Sequence, residues 1–220
     1  LLTTQTNSGQ LYEVDMRLRP SGASGLLVSS LGAFERYQES EAWTWEHQAL
    51  VRARVLVGCP RVATAFETIR ARVLGREREL LALRQEVSEM RAKMRDNLGS
   101  KETSAGRAVN AFDAGQPFDL KQDAGGIVDI EFMVQYAALA WSHDHPQLLT
   151  YTDNIRILDG LREQRLLPAD DVAALQEAYK ALRSVAHRLA LQKQPGKVAG
   201  DQLVGERRTV MRIWQELGLA

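Results

Sequence analysis

Charged side chains alternate with apolar ones in residues 11–20. Asp15, Arg17 and Arg19 fall on one face of the strand that this period of two predicts, and apolar side chains fall on the other. A carboxylate beside guanidinium groups is what a metal-bound triphosphate requires, because the acid can hold Mg²⁺ while the arginines meet phosphate oxygens. A solvated strand with cross-strand ion pairs has the same pattern, so the segment alone leaves both interpretations open.

The segment 41–54 combines two tryptophans with charged side chains. Glu46 and His47 lie with apolar neighbours at helical spacing, and Arg52 and Arg54 follow closely. We expect a mixed aromatic and charged stripe lining a nucleotide or protein cleft, with these four side chains as candidates for binding the nucleotide. Tryptophans on a helix also commonly pack in a core while their charged neighbours are solvated, and this alternative stays open.

Gly125 and Gly126 precede a predicted helix that carries Asp129 and Glu131 in its first turn. The paired glycines permit a tight backbone entry, and the N-terminus of the helix would then be available to phosphate. Because the two acids are two residues apart, they do not share a helical face, although both oppose the helix dipole favourably. The alternative is a structural glycine turn followed by acidic residues.

The composition is that of a folded protein without a strong electrostatic preference. The 220 residues are 45% hydrophobic and 25% charged, and 28 Lys and Arg balance 28 Asp and Glu. Zero net charge gives no reason to expect nucleic acid or an anionic membrane as a partner. No apolar run approaches the ~20 residues that span a bilayer, and the first residues lack signal-peptide character, so we expect a cytoplasmic protein.

The elements that must position these residues change from sheet to helix along the chain. A hairpin is predicted first, with one strand in residues 11–20, a Gly and Ser loop, and a short returning strand at 26–29. A helix capped near Ser30 and a second helix from about Ser40 follow. Beyond Pro60 the spacing of apolar residues predicts almost only helices.

Two interruptions divide the helical part. Residues 99–117, rich in Ser, Ala, Gly and charge, predict a flexible loop, and residues 118–121 predict a short extended segment. Helices are predicted over 127–141, after Asp153, after the acidic pair 170–171, and at the end of the chain. The predicted fold class is mainly α, with a C-terminal helical bundle.

Four blocks of sequence, in order and spacing, resemble the glutamine synthetase adenylyltransferase family. They are residues 11–22, 41–54, 125–132 and 152–158. The resemblance covers almost the whole chain and is weakest in the predicted loop.

The resemblance implies a fold in two parts. A nucleotidyltransferase domain precedes a helical domain in this family, so we expect an incomplete α/β nucleotidyltransferase portion with a short β hairpin over 1–58 and a helical domain over 59–220. Asp15 resembles the third metal-binding carboxylate of that fold. The family's upstream Gly-Ser turn and Asp-x-Asp pair are absent, so we expect a fragment that is inactive by itself.

The resemblance also implies an activity. Family members attach AMP from ATP to a tyrosine of glutamine synthetase in one half and remove it by phosphorolysis in the other, and the segment 41–54 resembles the attaching half. Asp15 would hold Mg²⁺, and Arg17 and Arg19 would stabilise charge or orient Asp15. Implied partners are glutamine synthetase as substrate and the P-II signal protein as regulator.

Three alternatives stay open at this point. The chain could come from the half that removes AMP, or from the related uridylyltransferase that modifies P-II. It could also be a helical module that only docks glutamine synthetase or P-II.

Overall fold

The computed structural model describes residues 4–6, 9–10, 19–22, 25–100 and 112–219, and within these ranges the chain is mainly α-helical. This confirms the predicted fold class. The helices are α1 Leu31–Ser40, α2 Thr44–Val51, α3 Pro60–Leu74, α4 Leu80–Leu98, α5 Ile127–Trp141, α6 Asn154–Glu163, α7 Ala169–Leu191 and α8 Val204–Glu216. A short 3₁₀ helix, Pro146–Leu149, precedes α6.

The strands form two small antiparallel pairs. β1, Gln5–Thr6, pairs with β2, Gly9–Gln10, and β3, Pro117–Asp119, pairs with β4, Lys197–Ala199. The extended segment predicted from residue 118 is therefore a strand, and Val198, which pairs with Phe118, lies in a segment without a comparable sequence signal.

The prediction of a returning strand at residues 26–29 is wrong. These residues have no regular structure, and the side chains of Leu26 and Val28 are 82% and 81% exposed. A strand of four residues needs a partner that covers one face, and no described strand pairs with this one. The first strand of the predicted hairpin, residues 11–18, lies outside the described residues.

Local capping explains where several helices begin. The side chain of Ser30 accepts a hydrogen bond from Ala33 N at the start of α1, and Asp153 accepts one from Arg156 N at the start of α6. Pro60 occupies the first turn of α3, where its missing N–H costs nothing. The acidic pair 170–171 lies in the first turn of α7 rather than at its cap.

Helix α5 is the centre of the core. Its apolar residues point in all directions, and it contacts α2, α4, α6, α7 and α8. A helix that is apolar all round is expected to be enclosed by others. Helices α1 and α2 pack against α3, and α2 also reaches α4 and α5. The predicted division of the chain at residue 58 stays a prediction.

Candidate functional site

A cavity of about 360 Å³ lies where residues 19 and 20 meet α1, α2 and α3. Its wall is mostly apolar and contains three charged side chains, those of Arg19, Glu46 and Arg52. This volume is within the usual range for a small-molecule site. The structure thus brings together three of the residues that the sequence nominated for catalysis or nucleotide binding, from two separate segments.

Arg52 connects this cavity to the helical core. It follows the last residue of α2, and its Nη1 lies 3.4 Å from Glu131 Oε1 and 3.3 Å from Asn154 Oδ1. The hydroxyl of Tyr179 also donates to Glu131 Oε1, at 3.2 Å. Asn154 begins α6 and Glu131 lies on α5, so the guanidinium group is held by two other elements.

Arg70, on α3, holds the C-terminal end of α2. Its Nε and Nη2 donate to the carbonyl oxygens of Leu50 and Val51, at 3.1 and 2.7 Å, and its Nη1 donates to Leu149 O at 2.9 Å. The carbonyls of Leu50 and Val51 belong to the last turn of α2, where an α-helix does not satisfy its own carbonyl groups fully. Sequence reasoning missed Arg70 because an arginine one turn before Val73 on α3 resembles an ordinary surface residue.

Glu46 is already engaged on both carboxylate oxygens. The hydroxyl of Tyr37 donates to Oε1 at 2.8 Å, and Trp43 N donates to Oε2 at 2.9 Å. The second bond caps the start of α2. Glu46 therefore orders the wall of the cavity by holding Tyr37 and the start of α2. Arg19 is tied to its own turn, because its Nε donates to Gly25 O at 3.2 Å.

His47 faces away from the cavity. Its ring is fully buried, Nε2 lies 2.9 Å from the carbonyl oxygen of Gln38, and Nδ1 lies 3.4 Å from Arg76 Nη2. Its pKa is lowered to about 4, mainly by burial and also by the charges of Arg76 and Arg78, against the opposing effect of the hydrogen bond to Gln38. The imidazole is therefore neutral at pH 7, donating from Nε2 and accepting at Nδ1.

The remaining nominated residues of the first two segments are not in the cavity wall. Arg54 is exposed beyond the end of α2. Asp15 and Arg17 lie outside the described residues, and their predicted roles stay predictions.

The glycine pair forms a closed turn into α5. Gly125 has φ +82°, and its N–H donates to Asp129 Oδ2 at 2.7 Å. The N–H groups of Ile127 and Val128 donate to the carbonyl oxygens of residues 120 and 121, at 2.9 and 3.1 Å. These donors at the helix N-terminus are paired within the chain, so the turn serves to hold α5 in place.

Asp129 and Glu131 point to different neighbours, as their spacing predicts. The Asp129 carboxylate is buried, and its Oδ1 lies 2.6 Å from Arg91 Nε and 3.3 Å from Arg95 Nη2 on α4. Glu131 faces Arg52 and α7 instead. Sequence reasoning missed Arg91 and Arg95, although their spacing of four residues beside the apolar stripe of α4 is a signal for a shared face.

No cluster of three or more His, Cys, Asp or Glu side chains in the described part of the chain is arranged to hold a metal ion. Nor is any helix among the described ranges long and apolar enough to cross a membrane. The one residue nominated for Mg²⁺, Asp15, is outside these ranges.

The fold and the site define a mainly helical domain whose first helices enclose a ligand-sized cavity bordered by two arginines. Comparison with known proteins identifies the family. The family model for glutamate-ammonia ligase adenylyltransferase matches residues 1–82, and the model for GlnD PII-uridylyltransferase matches residues 88–216.

Full-chain relatives agree with the first of these matches. The chain is 74% identical over 220 residues to a bifunctional glutamine synthetase adenylyltransferase/adenylyl-removing enzyme of Pseudomonas putida, covering 100% of this chain and 22% of that protein. It is 71% identical over 99% of its length to the enzyme of that name in Pseudomonas aeruginosa, covering 22% of it, and 51% identical over 99% to the one in Nitrosococcus oceani, covering 21%.

The chain belongs to the family of bifunctional glutamine synthetase adenylyltransferase/adenylyl-removing enzymes. It spans about a fifth of the length of these relatives. Residues 88–216 are in addition similar to the family of GlnD PII-uridylyltransferases.

Proposed function

We propose that this chain is part of an enzyme that transfers AMP from ATP to a tyrosine of glutamine synthetase. In this proposal the cavity beside Arg19 and Arg52 forms one wall of the transfer cleft. Asp15 holds a Mg²⁺ ion, which would neutralise triphosphate charge when bound. Arg19 and Arg52 contact phosphate oxygens, since a guanidinium group matches their geometry.

The observation that carries the proposal is the convergence at Arg52. The four blocks that resemble the family, residues 11–22, 41–54, 125–132 and 152–158, are far apart in the chain. Arg19 from the first block shares the cavity with Arg52 from the second, and Arg52 contacts Glu131 of the third and Asn154 of the fourth. A purely structural role for each block would not require all four to meet beside one cavity.

The contacts of the charged residues suggest a different role for each of them. Arg52 keeps 37% of its side chain exposed while Glu131 and Asn154 restrain it, so it is positioned and still accessible to an anion. Positioned cations lower the barrier to phosphoryl-group attack by stabilising charge that develops on the transferred and leaving oxygens. Glu46 and Arg70 contribute by fixing the two ends of α2.

We assign the chain to the half that adds AMP, because the segment 41–54 carries the Trp-Thr-Trp-Glu-His sequence that resembles that half. The runner-up is the half that removes AMP by phosphorolysis. Glutamine synthetase is the proposed protein substrate, and P-II is the proposed regulator.

The experiment uses a full-length enzyme of the family that carries this segment. Transfer of labelled AMP from ATP to glutamine synthetase is measured with Mg²⁺ for the unchanged enzyme, for Asp15→Asn and for Arg52→Gln. We expect Asp15→Asn to reduce kcat by at least ~100-fold, since it removes a metal-binding charge, and Arg52→Gln to reduce kcat/KM by ~10- to 100-fold.

The control is Arg162→Gln, which removes an exposed arginine of α6 that pairs only with Asp159 three residues earlier. It should transfer AMP at the unchanged rate. If Asp15→Asn and Arg52→Gln also transferred AMP normally, the site assignment would be wrong. If the unchanged enzyme transferred no AMP through this half but phosphorolysed adenylylated glutamine synthetase, and Asp15→Asn abolished that, the chain would belong to the removing half.

A further inference from the structure

A second cavity, of about 410 Å³, lies between the turn that precedes α5 and the exposed side of α7. Its wall includes residues 119–122 of the turn, Glu131 of α5, and Arg183 and His187 of α7. Neither Arg19 nor Arg52 lines it, so it is separate from the cavity described above.

Three basic side chains, those of Lys121, Arg183 and His187, line this second cavity. Arg183 and His187 are four residues apart on α7 and so lie on the same helical face, and Lys121 approaches from the turn. All three are exposed. Within the described ranges, neither Lys121 nor Arg183 forms an ion pair with a carboxylate, and the Arg183 guanidinium lies over the ring of Tyr179, 5.9 Å from its centroid.

The two carboxylates in the same wall are committed elsewhere. Asp119 Oδ1 accepts the backbone N–H groups of Lys121 and Gln122, both at 2.9 Å. Glu131 Oε1 accepts from Tyr179 and from Arg52. Among the described residues neither acid forms an ion pair with Lys121 or Arg183, so both cations stay available to an anion in the cavity.

We propose that this second cavity binds a phosphate group, supplied either as inorganic phosphate or as the phosphate monoester of a small molecule. The Arg183 guanidinium offers paired N–H donors, the Lys121 ammonium offers a point charge, and the His187 imidazole offers a further N–H. A tetrahedral anion uses donors that converge in this way from several directions, whereas a planar carboxylate is matched by one guanidinium group.

The side of the cavity at Gly196 leaves space for more than a free anion. At Gly196 an added Cβ would meet no atom within 4 Å, so the side of the cavity at this residue is open. The volume leaves room for an organic group attached to the phosphate.

The inference does not depend on the proposed AMP transfer, and its test measures binding directly. Inorganic phosphate, AMP and adenosine are titrated separately into the 220-residue chain in an isothermal titration calorimeter. The measurement is repeated for the double variant Lys121→Gln/Arg183→Gln and for Lys180→Gln. Lys180 lies on α7 outside the cavity and pairs with Glu177, so it is a matched control for loss of a lysine charge.

We expect phosphate or AMP to bind the unchanged chain and the Lys180→Gln control alike, with Kd raised at least ~10-fold in the double variant. AMP binding more tightly than phosphate would identify a monoester as the ligand, and equal affinities would identify the free anion. All substituted residues are exposed, so the unfolding midpoint in urea should stay unchanged.

Three results would overturn the proposal, and the first two concern phosphate and AMP. One is an unchanged chain that binds neither phosphate nor AMP at millimolar concentration. The other is a double variant that binds both with unchanged affinity while Arg19→Gln abolishes binding, because this would locate the anion in the first cavity. Adenosine binding as tightly as AMP would also contradict it, since the phosphate group would then contribute nothing.

Discussion

The ring of His47 lies in the core with one nitrogen donating to Gln38 and the other accepting from Arg76. Protonation would place a second N–H opposite the Arg76 guanidinium and bury a charge. Both effects disfavour the charged imidazole, which is why its pKa falls to about 4. The sequence suggested His47 for nucleotide binding. In the structure it is a buried residue of the core, and its contribution to stability depends on pH.

The first prediction concerns this pH dependence. In the unfolded chain His47 takes up a proton below about pH 6.5, whereas in the folded chain it does so only near pH 4. The unfolded state therefore binds more protons between these values, and stability falls as pH falls through this window. The free energy of unfolding of the unchanged chain should fall between pH 7 and pH 4.5. In His47→Gln this fall should be smaller by about 2 kcal/mol.

The measurement is the free energy of unfolding in urea at both pH values. His187→Gln, which replaces an exposed histidine on α7, should keep the full loss of the unchanged chain. Equal pH dependence in His47→Gln and in the unchanged chain would show that His47 is not a buried neutral group.

The second prediction concerns the buried pair of Asp129 and Arg91. Both side chains are almost completely buried, and the separation of Oδ1 and Nε is 2.6 Å. Asp129→Asn keeps the shape but leaves the Arg91 charge without its counterion, so we expect unfolding to require about 3 kcal/mol less in urea denaturation. Asp159→Asn, in an exposed pair with Arg162, should cost less than about 1 kcal/mol. If the free energy of unfolding decreased equally in the two variants, the charge of Asp129 would stabilise the fold no more than a neutral amide does.

At the scale of elements, the turn before α5 depends on a glycine that only the structure explains fully. Gly125 has φ +82°, and an added Cβ would lie 2.8 Å from Arg207 O on α8. The sequence predicted a tight glycine entry but not the approach of α8, because residues 82 positions apart give no local signal of contact.

The third prediction follows from this close approach. Gly125→Ala should reduce the free energy of unfolding by at least about 2 kcal/mol, since it combines an unfavourable backbone conformation with a clash against backbone atoms. Gly205→Ala is the matched control, because Gly205 lies in α8 and its added Cβ would contact nothing within 4 Å. There alanine should leave stability unchanged or raise it by up to about 1 kcal/mol. A Gly125→Ala variant as stable as the Gly205→Ala variant would contradict the structure of the turn.

The sequence predicted features that depend on neighbouring residues, and it missed contacts between segments that are distant in the chain. The cap at Ser30, the end of α4 before Gly99 and the span of α5 over residues 127–141 follow from capping chemistry and helical spacing, which neighbouring residues determine. The pairing of β3 with β4 was missed because it joins distant segments of three residues each. Arg70 was missed for the same reason, since its acceptors belong to other elements.

At the scale of the whole molecule, α2 is the element through which the candidate cleft is joined to the core. Its first turn is fixed by Glu46, its last carbonyl groups by Arg70, and the arginine that follows it by α5 and α6. The sequence nominated Glu46, Arg52 and Glu131 separately, and folding makes them one connected set. Asp129 is not part of this set, because it stabilises the opposite side of α5.

The last prediction tests whether this connection acts on the reaction. Glu131→Gln removes the charge that restrains Arg52, and Glu131 itself does not line the first cavity. Because the ion pair is partly exposed, the free energy of unfolding should change by less than about 1 kcal/mol.

In a full-length family enzyme, a less restrained Arg52 should raise KM for ATP by about 3- to 10-fold, with kcat changing less, because the lost interaction would serve substrate binding and the transition state alike. Glu163→Gln, at the exposed end of α6, should change neither constant. If Glu131→Gln lowered only stability and left KM unchanged, Glu131 would be a structural residue of the helical domain and Arg52 would not be positioned by it. If KM rose in Glu131→Gln and rose no further when Arg52→Gln was added, the two residues would act as one unit.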